Sequence, residues 1–302
     1  MEPRIVFMGS PEFALPVLRG LAQHYRVAGV VTQPDKPAGR GRTLTPPPVK
    51  TLALELELPV IQPRRLREPE PMAQLQAWAP DLIVVAAFGQ ILRPAVLDLP
   101  PYGCLNVHAS LLPRWRGAAP IQAAILHGDL ESGATLMRMD PGVDTGPMLA
   151  RRPLPILPED TAASLGERLA RAGADLLLES LPDYLSGGLT PQPQDERLAT
   201  YAPMLKKEDG LLDLGQPADA LARRVRAFNP WPGAYIYWQE QILKIHRAHP
   251  QPADAAPGRL GVYQGLPALG TASGLLVLDE VQPAGKKAMP GKVFLQGARG
   301  WR

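Results

Sequence analysis

The sequence predicts an α/β protein, with a mostly parallel sheet in its N-terminal part and a smaller antiparallel β domain in its C-terminal part. Three observations predict it: a β-α-β opening, an apolar run at 81–88, and short alternating runs broken by Gly and Pro beyond residue 200. The length of 302 residues accommodates one large or two medium domains. We expect a first domain at 1–188, a polar linker at 189–207 and a second domain at 208–302.

The opening unit begins with two short apolar runs, RIVFM at 4–8 and VAGVV at 27–31, which are typical of buried parallel strands. Between them, Ser10 suits a helix N-cap and Pro11 the first helical position, which predicts a helix to about Leu21. This order is Rossmann-like. The turn after the first strand has one glycine where a dinucleotide-binding fingerprint has three, which argues against a nicotinamide oxidoreductase.

Residues 33–48 form a predicted loop that is rich in proline and basic residues. The segment contains three basic residues, Lys36, Arg40 and Arg42, and a single acidic residue, Asp35. Loops of this length in a compact domain are functional or mobile. Two interpretations remain open from the residues alone: a solvated proline-rich excursion, or a basic flap that becomes ordered on phosphates.

The run DLIVVAAF at 81–88 is the most hydrophobic strand candidate, and we place it at the centre of the sheet. Apolar residues at helical spacing between 161 and 185 predict a long helix that ends at Gly187. The other elements predicted for the first domain are strands at 104–108, 135–139 and 148–151, the last two flanking a tight turn at 140–147.

The C-terminal part starts after a polar, proline-bearing stretch at 189–200. A helix is predicted at 218–227. Alternating runs such as 235–238 and 275–278 predict a small β-barrel, which would be OB-like, or a sandwich. Trp231 and Trp238 are predicted to belong to its apolar core.

Charge is distributed unevenly along the chain. Residues 1–200 carry 19 Lys and Arg against 21 Asp and Glu, whereas residues 201–302 carry 13 against 8. A basic last part favours contact with a polyanion.

Cys104 is the single cysteine, so the chain forms no internal disulfide, and no cluster of residues has the spacing of metal ligands. We expect no metal. The N-terminal apolar run is too short for a signal peptide or a membrane span, and we expect a cytoplasmic protein that does not bind membranes.

Three polar residues carry the predicted chemistry. Asn106 and His108 lie two apart near the carboxyl end of a predicted strand, so both project from one face. Asp144 lies in a Gly- and Pro-rich turn. Taken alone, a polar pair at a strand end is also typical of a structural role. An aspartate in such a turn is likewise typical of an Asx-turn, in which it stabilises its own loop. If the three meet, the set has no Ser or Cys nucleophile and suits an amine attacking a carbonyl.

The runs NVHASLLPRWRGAAPI at 106–121 and DPGVDTG at 140–146 resemble the signature of the folate-dependent formyltransferases. The resemblance implies Asn106, His108 and Asp144 as the catalytic trio, and 10-formyltetrahydrofolate as the formyl donor. It also implies a folate pocket. The pocket residues would be Phe88, Gly89, Gln90, Ile91, Leu92, Ser110, Leu111, Leu112, Pro113, Met139 and Asp140.

Three further runs are similar to members of this family that formylate initiator methionyl-tRNA: TQPDKPAGRGR at 32–42, RAFNPWP at 226–232 and QPAGKKAM at 282–289. This resemblance implies initiator methionyl-tRNA as the partner, and we expect a monomer. The candidate tRNA-binding residues are Lys36, Arg40, Arg42, Lys206, Lys207, Lys286 and Lys287. Two alternatives are a formyltransferase acting on a small amine and an RNA-binding protein with an inactive catalytic fold.

Overall fold

The structure is a computed structural model that describes residues 2–38 and 43–301. The chain divides into two compact units. The first comprises the chain up to residue 117 together with 132–155 and 166–201, and the second comprises 118–131, 156–165 and the chain from residue 202 onward. The boundaries at 188 and 208 stay a prediction.

The described residues contain the following strands, in chain order. They are β1 (Arg4–Gly9), β2 (Arg26–Val31), β3 (Lys36–Ala38), β4 (Thr43–Thr45), β5 (Val60–Ile61), β6 (Leu82–Ala86), β7 (Cys104–His108), β8 (Arg116–Gly117), β9 (Glu131–Arg138), β10 (Met148–Pro155), β11 (Tyr201–Ala202), β12 (Ala234–Trp238), β13 (Gln241–Gln251), β14 (Leu260–Tyr263), β15 (Leu266–Gly270), β16 (Leu275–Pro283) and β17 (Met289–Pro290).

The α-helices of the same residues follow in chain order. They are α1 (Leu15–His24), α2 (Pro48–Glu55), α3 (Pro69–Trp78), α4 (Pro94–Leu97), α5 (Pro120–His127), α6 (Ala162–Leu185), α7 (Ala218–Ala227) and α8 (Gly291–Gly297). Short 3-10 turns lie at Glu12–Ala14, Glu196–Leu198 and Lys207–Gly210.

The first unit is built on a seven-stranded sheet in the order β10-β9-β7-β6-β1-β2-β5. The pairs β6–β7, β6–β1, β1–β2 and β2–β5 are parallel, and β9 runs antiparallel to β7. The predicted mostly parallel sheet is confirmed. The central position of the 81–88 run is confirmed as well, because β6 is the fourth of seven strands and all its residues are buried.

Both faces of this sheet are covered. Ile5 and Phe7 of β1 belong to a core cluster that includes residues of α1, α2 and α6. Val6 and Met8, the alternate residues of the same strand, belong to a second cluster with residues of α3 and α4. Strands buried on both faces need continuous apolar sequence, which explains why these runs could be recognised as parallel strands.

The first helix differs from its prediction. The predicted N-cap at Ser10 is wrong: a 3-10 turn at Glu12–Ala14 precedes α1, and the Ser10 hydroxyl instead accepts a hydrogen bond from the Gln33 backbone N–H at 3.1 Å. Ser10 therefore connects the ends of β1 and β2. Tertiary contact between two strand ends replaced the local capping bond that the sequence favours.

The 33–48 segment is not loop throughout. Strands β3 and β4 pair antiparallel within it, with Lys36 opposite Thr45 and Ala38 opposite Thr43, and α2 begins at Pro48. A prediction of plain loop is wrong for these residues, because two short extended stretches of a single segment can satisfy each other's backbone groups. Arg40 and Arg42 lie outside the described residues.

The second unit carries an antiparallel sheet in the order β12-β13-β16-β15-β14, with β17 paired to β16. Helix α7 at Ala218–Ala227 is confirmed as predicted. Trp238 packs edge-to-face with Phe294 and Trp301 in the core of this unit, but Trp231 is 52% exposed, so its predicted core role is wrong. Closure of the sheet into an OB-like barrel stays a prediction.

No helix in residues 2–38 and 43–301 is both long enough and apolar enough to cross a lipid bilayer.

The packing of β7 predicts the chemistry of Cys104. Burial raises the pKa of its thiol to about 12, whereas an unfolded cysteine ionises near pH 8.5. Because the thiolate is the reactive form, we expect Cys104 to react with iodoacetamide at pH 8.5 far more slowly in the native protein than in urea. Mass spectrometry of the alkylation time course measures this.

The same raised pKa predicts a loss of stability in alkali. As the pH rises above about 8.5, only the unfolded state releases the thiol proton, so the free energy of unfolding should fall between pH 8 and 10. A Cys104→Ala variant is the control, since it removes the titrating group and should flatten this part of the profile.

For the alkylation experiment, equal rates in the native and the unfolded protein would contradict the burial of β7.

Candidate active site

Strand β7 ends with two buried polar side chains. Asn106 and His108 are 8% and 6% exposed, and they lie two residues apart on the strand. In the neighbouring antiparallel strand β9, Met137 is opposite Asn106 and Thr135 is opposite His108. Buried polar groups need partners, so the hydrogen bonds of these two residues define the site.

Asp144 meets both of these side chains. Its Oδ1 accepts a long hydrogen bond of 3.4 Å from Asn106 Nδ2, and its Oδ2 lies 3.7 Å from His108 Nδ1. The Gly117 backbone N–H donates to the same Oδ2 at 2.8 Å. The structure thus brings the predicted trio together around one carboxylate.

The backbone at Asp144 has a left-handed conformation, with φ of 53°. Aspartate tolerates this region better than most residues, but the conformation needs support from its surroundings. The Gln194 side-chain amide gives that support, since Nε2 donates to the carbonyl oxygens of Asp144 at 2.8 Å and Gly146 at 2.7 Å. The turn is therefore held from outside as well as by its own sequence.

The hydrogen bonds of His108 indicate its tautomer. Nε2 lies 3.0 Å from the carbonyl oxygen of Trp115. A carbonyl only accepts, so Nε2 carries a proton in this arrangement. Nδ1, which faces the Asp144 carboxylate, is then the ring nitrogen that carries the lone pair.

The loop after β7 is fixed by a buried threonine. Thr135 Oγ1 donates to the Ser110 carbonyl at 2.6 Å and accepts from the Leu112 backbone N–H at 3.1 Å. The Ser110 hydroxyl donates to the Arg114 carbonyl at 2.6 Å. These contacts hold residues 110–114, part of the predicted folate pocket, against the sheet.

Five of the predicted folate residues fall into two groups. Phe88, Leu92 and Met139 belong to one apolar cluster in the first unit. By contrast, the Gln90 amide donates to the Pro63 carbonyl and accepts from the Leu66 N–H, and Asp140 Oδ1 accepts from Gly142 N–H and the Thr145 hydroxyl. The second group holds loops together, and contact of either group with folate stays a prediction.

The remaining predicted folate residues differ in exposure. Ile91 is 72% exposed, whereas Ser110 and Leu112 are fully buried. Gly89 has φ of 77°, a conformation that favours glycine. Pro113 is buried and Leu111 is half-buried.

A cavity of about 370 Å³ lies at the carboxyl ends of β1, β2 and β6. Sequence reasoning missed it, although ligands of open parallel sheets bind at this edge. Its lining is mainly apolar, with Lys36 as the charged residue. The lining residues are Ser10, Pro11, Gln33, Pro34, Lys36, Thr45, Pro47, Pro48 and Ala87.

The predicted tRNA-binding lysines are exposed. Lys36 donates to the Gln33 side chain in the first unit. Lys206 and Lys207 begin the 3-10 turn at Lys207–Gly210, and Lys286 and Lys287 lie between β16 and β17. Their contact with RNA stays a prediction.

In the part of the chain that the structure describes, no group of three or more His, Cys, Asp and Glu side chains is placed to hold a metal ion.

Comparison with known proteins identifies two family matches. Residues 3–181 match the family described as formyl transferase, and residues 204–299 match the formyl transferase C-terminal domain. The methionyl-tRNA formyltransferase of Myxococcus xanthus is 51% identical over 298 residues, covering 98% of this chain and 95% of the relative. That of Geobacter sulfurreducens is 48% identical over 300 residues, covering 98% and 94%.

Solved structures share the fold at low identity. HypX from Aquifex aeolicus in complex with tetrahydrofolic acid aligns with a TM-score of 0.66 and 19% identity, over 99% of this chain but 48% of HypX. A methionyl-tRNA formyltransferase from Clostridium thermocellum aligns with a TM-score of 0.59 and 15% identity, over 93% and 98%. At these identities the likeness shows the fold alone.

The buried threonine under the site makes a stability prediction. Thr135→Val preserves the shape but leaves the Leu112 N–H and the Ser110 carbonyl without this partner, so we expect the free energy of unfolding to fall by about 1–3 kcal/mol. Urea denaturation measures the change. Thr51→Val, at an exposed position of α2, is the matched control and should change stability by less than about 0.5 kcal/mol. Equal effects of the two substitutions would contradict the role of Thr135.

Proposed function

The chain belongs to the formyl transferase family, and from this premise we propose that it transfers the formyl group of 10-formyltetrahydrofolate to the amino group of methionine on initiator methionyl-tRNA. One observation carries the chemistry: an amide, an imidazole and a carboxylate meet at the carboxyl end of β7. The acceptor follows from relatives that are about half identical over nearly the whole chain and are named methionyl-tRNA formyltransferase.

The substrate amine is the nucleophile in this reaction. The candidate protein nucleophiles near the trio are unsuited to the task, because the Ser110 hydroxyl is bonded to the Arg114 carbonyl and burial raises the pKa of Cys104 to about 12. The folate supplies an activated formyl group: the amine forms a bond to the formyl carbon, the bond from that carbon to the folate nitrogen breaks, and the amine proton leaves with the folate.

Asn106 stabilises the charge that develops on the formyl oxygen. The Asn106 amide has two N–H groups, and the hydrogen bond to Asp144 uses one of them. The second can donate to the oxygen as it becomes an alkoxide. Donors held in place before the reaction contribute most when water is excluded, and the Asn106 side chain is buried.

Asp144 orients these groups and supports proton movement. Its Oδ2 faces His108 Nδ1, the ring nitrogen able to change protonation, while Nε2 is bound by Trp115. The carboxylate can accept a hydrogen bond from Nδ1 when that nitrogen carries a proton. His108 can therefore take a proton from the attacking amine at Nδ1 and release it toward the leaving nitrogen.

The binding roles complete the proposal. The donor set and the adjoining apolar cluster of Phe88, Leu92 and Met139 suit a ring that is flat, apolar on its faces and polar at its edge. The exposed pairs Lys206–Lys207 and Lys286–Lys287 offer positive charge to tRNA phosphates. Arg40 and Arg42 have the same proposed role.

The same proposal implies a cytoplasmic protein, because aminoacylated tRNA is made and used there. It also includes a monomeric enzyme, since Asn106, His108, Asp144 and Gly117 come from one chain. Light scattering during size-exclusion chromatography measures the number of chains.

The central experiment is formyl transfer followed by mass spectrometry of the aminoacyl group. We expect the wild-type protein to add one formyl group to initiator methionyl-tRNA, and His108→Ala and Asn106→Ala each to lower kcat on the order of 10²–10³-fold, because the first removes the group that moves the amine proton and the second removes an oxyanion donor. His24→Ala, at an exposed position of α1, is the control and should retain activity. Formylation of an amino sugar but not of tRNA would refute the acceptor.

The lysine pair at 206 and 207 makes a separate prediction about binding. Replacing both by Gln should weaken tRNA binding and reduce the slope of log K against log salt by about one for each lysine. Filter binding between about 50 and 200 mM salt measures it. Lys292→Gln, at an exposed position of α8, is the control. An unchanged slope in the double variant would exclude phosphate contact at this pair.

A further inference from the structure

The segment at 192–201 was expected to be part of a linker, yet it lies in the first unit and is hydrogen-bonded to other parts of that unit at both of its ends. At one end, Gln192 exchanges backbone hydrogen bonds with Met148, both of 2.8 Å. At the other end, the Thr200 hydroxyl accepts from the Trp115 N–H and the Thr200 carbonyl from the Arg116 N–H, both at 2.9 Å. The 192–201 segment therefore connects the strand after the Asp144 turn with the residues around Arg116.

Gln194 lies in the middle of this segment and faces the Asp144 turn. Its Nε2 donates to the carbonyl oxygens of Asp144 and Gly146 at 2.8 and 2.7 Å. Both N–H groups of the amide are thus used on the two sides of Thr145. This contact supports the left-handed backbone that aims the Asp144 carboxylate at Asn106 and His108.

Arg116 decides which way the Gln194 amide points. Its Nε and Nη2 donate to Gln194 Oε1 at 3.0 and 2.9 Å, and its two terminal nitrogens donate to the Glu196 carboxylate at 2.8 Å each. A guanidinium only donates, so it requires the amide oxygen on its side and leaves the NH₂ group for the Asp144 turn.

Arg116 is itself held in a fixed position. Its side chain is fully buried, and a buried charge needs complete pairing. The hydrogen bonds to Glu196 raise the pKa of the guanidinium and lower that of the carboxyl. A planar cation with four such bonds has little freedom to turn.

The neighbours of Arg116 contact the trio directly. The Trp115 carbonyl binds His108 Nε2, and the Gly117 N–H binds Asp144 Oδ2. Residues 115–117 and the Gln194 amide thus act on both partners of the 3.7 Å contact between His108 and Asp144.

We infer that Arg116 and Gln194 are positioning residues for formyl transfer, and that the 192–201 segment is a working part of the catalytic unit. This inference rests on the proposed function. Arg116 fixes the Gln194 amide, and that amide fixes the backbone from which Asp144 reaches Asn106 and His108. Small displacements of catalytic groups are costly, since an error of about 1 Å lowers rates on the order of 10²-fold.

Gln194→Glu tests the inference most sharply. The change keeps the size of the side chain and an oxygen for Arg116, but it places an acceptor where the NH₂ group donates to two carbonyls. We expect kcat to fall on the order of tenfold to a hundredfold, with KM for 10-formyltetrahydrofolate and for methionyl-tRNA unchanged. Gln74→Glu makes the same chemical change at an exposed position of α3, and it should have wild-type kcat and KM.

A second measurement does not depend on activity. Hydrogen exchange of the Gly117 amide, which donates to Asp144, should be faster in Gln194→Glu than in wild type or in Gln74→Glu. Loss of kcat at constant KM together with faster exchange supports the inference.

Several outcomes would overturn it. A wild-type kcat in Gln194→Glu, or a raised KM at constant kcat, rejects the positioning role while the wild-type activity leaves the proposed function standing. If the wild-type protein formylates no methionyl-tRNA, the proposed function fails, and the exchange experiment still decides whether Gln194 holds Asp144. Unchanged exchange would then reject the inference as well.

Discussion

The Asp144 carboxylate is the contact on which the rest of the site depends. It accepts from Asn106 and Gly117 and faces His108, so its position decides whether these groups act as one unit. Its backbone is in the left-handed region, which an aspartate adopts at a cost. Hydrogen bonds from two neighbouring segments stabilise this conformation. Residues 115–117 contribute a backbone N–H, and Gln194 contributes its side-chain amide. A strained turn supported from outside is typical of functional sites, where geometry matters more than local stability.

The sheet of the first unit gives this contact a rigid base. Because both faces of β6 and β1 are covered by apolar clusters, the strands have one register, and β7 enters that register beside Val85. The buried Thr135 hydroxyl then anchors the loop that leaves β7. Most buried polar groups in folded proteins have hydrogen-bond partners, and those of His108 and Asp144 include the Trp115 carbonyl and the Gly117 N–H. These polar groups are thus positioned by the same hydrogen-bonding requirement that shapes the fold.

Much of the fold could be predicted because its signals are local. The runs at 4–8, 27–31 and 104–108 are short, apolar and bounded by turns, and strands β1, β2 and β7 follow them closely. One prediction failed where a distant contact competed with a local preference, and another where two nearby stretches of the chain paired with each other. Ser10 has the chemistry of an N-cap, but it binds the Gln33 backbone. Residues 36–38 and 43–45 pair with each other although their composition is typical of a loop.

The sequence by itself determined the class of the fold, the family and the identity of the three polar residues. Buried strands and long motifs are formed by consecutive residues, so they can be recognised in the sequence. Only the tertiary structure decided how these residues are held. Arg116 lies inside the motif at 106–121, yet nothing in its neighbours shows that it is buried and bonded to Gln194 and Glu196, about eighty positions away along the chain. Gln194 lies in a polar stretch that is typical of a linker. A contact between segments so far apart in the sequence forms only if the fold brings them together, and the packing of the whole sheet decides this.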